Sequence, residues 1–113
     1  MVIVRTSISL DELKKMSEKM YGGLVKAVVD IDQHIMAVDA ELHADEETLL
    51  LDEGSKQEYL WGINIYPDNT GKESFIEFDS MINLRPSQGN RSRSIEDKKI
   101  QEIIRIIVKK LVS

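Results

Sequence analysis

The chain has 113 residues, 20 acidic side chains against 15 Lys and Arg, a net charge of −5 and no cysteine. That length suits one domain, expected over residues 1–113, with a single core that needs no cross-links. Without cysteine, disulfides, thiolate metal sites and thiol catalysis are excluded, and an acidic surface disfavours broad nucleic-acid binding, which needs a basic face to release phosphate counterions.

The opening run Val2-Ile3-Val4 has the β-branched content of a short strand. In "ISLDELKKMSEKMYGG", Ser9 and Glu12 stand at capping-box spacing, Ile8 and Leu13 at staple positions, and Gly22-Gly23 supply a left-handed stop. Leu10, Leu13, Met16, Met20 and Tyr21 recur at helical spacing, so a helix is expected. Residues 24–40 read as two strands around a tight connection at Asp32-Gln33-His34, which lacks the favoured glycine.

"ADEETLLLDEG" fits either a buried strand at Leu49-Leu50-Leu51 or a short helix over 45–53, and Asp45 as N-cap, acids in the first turn and Gly54 beyond its end favour the helix. "LWGINIYP" and "SFIEFDSMINL" predict two half-buried strands joined by the turn "DNTG". In the first, Trp61, Ile63 and Ile65 share the core face. In the second, Ile76, Phe78, Ile82 and Leu84 are expected to oppose Glu77, Asp79, Asn83 and Arg85. Ser94 with Asp97 opens a last helix whose stripe is Ile100, Ile103, Ile104, Ile107 and Leu111.

The order β-α-β-β-α-β-β-α predicts an α+β domain: a mainly antiparallel sheet of about five strands with three helices, the helices on one face. The other face is then polar, with Asn64, Tyr66, Asp79 and Asn83 as candidate site residues. An uncovered sheet face invites association, so a homodimer is expected.

Two stretches carry chemistry. "RPSQGNRSR" concentrates Arg85, Arg91 and Arg93 in nine residues without an acid. With Gln88, Gly89, Asn90 and Ser94, they combine guanidinium forks, permissive backbone and an expected helix N-terminus into a candidate anion-binding loop. Pairing of these arginines with the protein's own carboxylates is the competing explanation. "ELHADEE" places His43 among carboxylates, so His43 and Asp45 are the candidate acid or base. No His-Glu-x-x-His or EF-hand spacing occurs, and acids at a helix start need no metal, so no metal and no cofactor is expected.

Three blocks, "ELHADEETLLLDEGSKQEYLWGINIYP", "IEFDSMINLRPSQGNRSR" and "IEDKKIQEIIRIIVKKL", together resemble a family of small prokaryotic hypothetical proteins classed as a domain of unknown function. The similarity runs from about Gly23 onward. It implies no activity, cofactor or catalytic residue.

The functional expectation is a small cytoplasmic, non-enzymatic binding or interaction module, without a membrane partner, that meets an anionic small molecule or a protein partner. An alternative is an enzyme acting on a phosphorylated or carboxylated small molecule, with the arginines on the anion and His43 or Asp45 as acid or base. A nucleic-acid-associated regulator is the weakest reading.

Overall fold

A computed structural model describes every residue except Tyr21, so that residue's expected place in the first helix lies outside the described residues. The strands are β1 (Val2–Val4), β2 (Val25–Asp30), β3 (Ile35–Val38), β4 (Leu60–Ile65) and β5 (Ile76–Glu77). They form one antiparallel sheet in the order β1-β3-β2-β4-β5. The helices are α1 (Leu10–Glu18), α2 (His43–Asp52) and α3 (Lys98–Leu111). This is the α+β fold expected, with its elements in the expected order.

Local chemistry explains most of the boundaries. Ser9 Oγ accepts the Glu12 N–H at 3.1 Å to start α1, while Ile8 and Leu13 are both buried in the core. The β2–β3 turn is folded by Asp30, whose Oδ1 accepts the N–H groups of Asp32 and Gln33 at 2.9 and 3.0 Å. His34 takes the left-handed conformation there (φ 58°), the role glycine usually fills.

The expectation that all helices share one face is corrected. α1 and α3 cover the face formed by Val25, Ala27, Val29, Trp61, Ile63 and Ile65, burying Leu13, Ile104, Ile107, Val108 and Leu111 against it. α2 lies on the opposite face, where Leu50 meets Val28, Ala37 and Leu60. Val28 and Ala37 are apolar on the side read as polar, so that side carries a second, smaller core.

The strand expected across residues 74–84 is also corrected. Only Ile76 and Glu77 pair, opposite Ile65 and Asn64 of β4. The chain then leaves the sheet edge and crosses above β4 through a 3-10 turn at Met81–Asn83. Gly62 permits the crossing, because a Cβ there would lie 2.6 Å from Ser80 Cβ.

Where β5 stops, side chains complete the edge of β4. The Gly62 N–H donates to Asn83 Oδ1 at 2.8 Å, and Asn83 Nδ2 returns a bond to the Gly62 carbonyl at 2.9 Å. Two residues back along β4, Arg85 donates to the Leu60 carbonyl. An amide and a guanidinium thus replace the missing strand, leaving these backbone groups satisfied. Asn83 and Arg85, expected on an open polar face, are buried by this role. Part of the face expected to recruit a second subunit is covered here by α2 and by Ser80 and Ile82.

Two helix starts move. α2 begins at His43, with Leu42 at the N-cap position and no side-chain cap, so Asp45 lies inside the first turn. α3 begins at Lys98, with Asp97 Oδ1 accepting the Lys99 N–H at 2.8 Å, rather than at Ser94.

Candidate functional site

The three loop arginines have three different surroundings. Arg85 and Asn90 close the loop by exchanging backbone hydrogen bonds of 2.8 and 3.1 Å around a 3-10 turn at Pro86–Gln88, with Gly89 left-handed at φ 83°. The Arg85 guanidinium donates to the carbonyls of Ile82 at 3.0 Å, Gln57 at 2.9 Å and Leu60. It also stacks 4.4 Å above the Trp61 ring. Burial lowers its pKa and Glu47 opposes that shift; a guanidinium keeps its proton at neutral pH all the same. Arg93 pairs with Asp79 at 2.8 Å. Arg91 gives its backbone N–H to Glu96 Oε2 at 2.9 Å, while its exposed side chain has no carboxylate partner among the described residues.

Asn90 holds the loop's interior. Its Nδ2 donates to the carbonyls of Asn83 and Ser94 at 2.7 Å each and of Ser92 at 3.1 Å, and its Oδ1 accepts the Glu96 N–H at 2.9 Å. Gln88 is tied to Arg85 and to the Glu58 carbonyl at 3.3 Å each. Ser94 lies before α3 with its side chain exposed, and the first turn of α3 is capped by Asp97.

His43 begins α2 with Nε2 at 2.7 Å from the Ile63 carbonyl. A carbonyl only accepts, so Nε2 carries the proton and Nδ1 is the bare acceptor. Burial lowers the His43 pKa; the Ile63 bond opposes this, and Lys26, Asp79 and Arg93 lie close enough to act on it. The imidazole is therefore neutral at pH 7. Nearby, Asn64 Nδ2 donates to Glu77 Oε1 at 2.8 Å and to the Asp79 carbonyl at 3.2 Å, while Tyr66 donates to Glu77 at 3.1 Å. Burial, followed by Glu77, raises the Tyr66 pKa.

Asp45 does not join this group. Two residues along a helix separate side chains by about 200°, and Asp45 lies beside Met1, Thr48 and Asp52 in a different hollow. The remaining acids of "ELHADEE" do not gather either: Glu46 points inward, fully buried, with Oε2 accepting the Ala40 N–H at 3.2 Å. Among the described residues no three His, Asp or Glu side chains converge as a metal-binding group.

A cavity of about 510 Å³ opens beside the arginine loop. Gln88, Gly89 and Asn90 form one wall, yet the charged residues lining it are Glu58, Glu96 and Asp97, with no Lys, Arg or His among them. Tyr59, Trp61, Ile31 and Ile100 supply an aromatic and aliphatic surface. Glu96 and Asp97 each use one oxygen on a backbone N–H, and Trp61, 3% exposed, has an indole N–H with no acceptor in the protein.

Sequence reasoning placed three wall residues near a site and missed the acids. The available signal was the pair Glu96-Asp97 directly after the arginines, which invites a tight return of the loop onto its own carboxylates.

No curated protein and no solved structure matches this chain. Residues 2–111 match a protein-family model, and over that span the chain belongs to the family described as "Protein of unknown function (DUF5674)".

Proposed function

We propose that the domain is a non-enzymatic binding module that receives the ammonium group of a lysine side chain from a partner protein in the acidic cleft beside the arginine loop. The observation that carries this reading is the lining: three carboxylates and no basic side chain. An ammonium answers the carboxylates, and its methylene stem lies along Tyr59, Ile31 and Ile100. A binding role also fits His43, whose N–H is spent on Ile63 while Asp45 lies elsewhere.

Calorimetric titration with Nα-acetyl-lysine N-methylamide tests it, against the norleucine analogue that lacks the charge. The lysine compound binds and the norleucine compound does not, and Glu58→Gln, a change at an exposed side chain, weakens binding about tenfold. Equal binding of the two compounds refutes the reading.

A second reading keeps the anion at the loop, supported by the exposed Arg91 guanidinium with the Ser94 hydroxyl nearby in sequence. Inorganic phosphate that shifts the Arg91 and Ser94 amide resonances, with the effect lost in Arg91→Ala, would favour it over the first.

A further inference from the structure

A second concavity has the opposite character. It lies between the last turns of α3 and residues 70–76, holds about 430 Å³, and has an apolar floor of Phe75, Ile76, Val108 and Val112. Its charged lining residues are Lys72, Arg105 and Lys109, with no acid among them. In a chain of net charge −5 this is a local reversal of sign, and none of the three makes an ion pair among the described residues. Arg105 is not loose: its guanidinium sits 5.0 Å from the Phe78 ring centroid, which holds a cation at the edge of the apolar floor.

We propose that this groove is a binding site for a small amphiphilic anion, a carboxylate on an aliphatic tail. The tail buries against Phe75, Ile76, Val108 and Val112, and the head meets Lys72, Arg105 and Lys109. Apolar burial supplies affinity and the cationic rim fixes orientation, the division of labour common to small-molecule sites. The occupant is a free molecule rather than a lipid in a bilayer, because the net negative charge of the domain opposes approach to an anionic membrane.

The test uses the full chain labelled for amide NMR, with decanoate below its micelle concentration as the probe and decanol as its neutral counterpart. Decanoate shifts the amides of Gly71, Lys72, Val108 and Val112, decanol binds about tenfold more weakly, and the double variant Lys72→Gln, Lys109→Gln loses that difference. Both lysines are exposed, so the variant keeps its fold; Lys110→Gln, outside the lining, behaves as the parent protein. Equal binding of decanol and decanoate, shifts centred on residues 85–94, or sedimentation with phosphatidylglycerol vesicles without a response to decanoate would each overturn the proposal.

Discussion

Glu46 offers the sharpest test of the second core under α2. Its side chain is fully buried, Oε2 accepts one backbone N–H, and Oε1 has no partner. Burial, opposed by the Ala40 N–H and by Lys26, raises its pKa from 4.5 to about 9, so at pH 7 the folded protein holds a proton that the unfolded chain has released. A raised carboxyl pKa leaves stability intact below pH 4.5 and erodes it as pH climbs toward 9, by about 1.4 kcal/mol per unit. Between pH 5 and pH 7 the loss is about 3 kcal/mol. Glu46→Gln keeps a carbonyl for the Ala40 N–H and removes the titration. Its stability relative to the parent should therefore rise by that amount over the same interval, on the order of 10 °C in Tm for a domain of this size. Urea unfolding followed by Trp61 fluorescence at pH 5, 6, 7 and 8 measures the gap. A gap that stays constant with pH refutes the assignment of Glu46 as a neutral buried acid.

Other consequences follow from the same geometry. Arg85→Met leaves the Ile82, Gln57 and Leu60 carbonyls without their donor and should cost about 3 kcal/mol in chemical denaturation. Gly62→Ala drives a methyl into Ser80 and should cost about 2 kcal/mol, with amide shifts concentrated at residues 79–85. His43 should titrate below 6.5 by NMR of its ring protons; a lowered histidine pKa means its contribution to stability is complete above pH 6.5 and declines as pH falls below it.

Much of the fold was legible because local signals agreed with tertiary packing. Ser9 and Glu12 mark the start of α1, and Ile100, Ile104, Ile107 and Leu111 of the expected α3 stripe join the core, whereas Ile103 faces solvent. The alternation in residues 60–66 predicts which face of β4 carries Trp61, Ile63 and Ile65. The errors came where side-chain chemistry imitates a backbone pattern. Residues 76–85 alternate like a strand, but Asn83 and Arg85 serve as hydrogen-bonding substitutes for a strand, and Ser80 fits over Gly62. Ser94 and Asp97 have cap spacing, yet Asn90 ties up the Ser94 carbonyl and the Glu96 N–H, so the helix waits until Asp97. The apolar Val28 and Ala37 were the sign that a helix covers the second face, and the polar neighbours around them obscured it. The acidic cleft was hidden for a related reason: Glu58 comes from the approach to β4, while Glu96 and Asp97 follow the loop, and only the fold unites them.

The central claim is that the arginine loop is largely stitched to its own domain and presents a cleft that takes a cation. Trp61 is the chain's one tryptophan and lines the cleft, so its indole N–H gives a single resonance from a cleft residue. Titrated with Nα-acetyl-lysine N-methylamide, that resonance should move and saturate, and inorganic phosphate at the same concentrations should leave it in place. Movement with phosphate and none with the lysine compound would contradict the account.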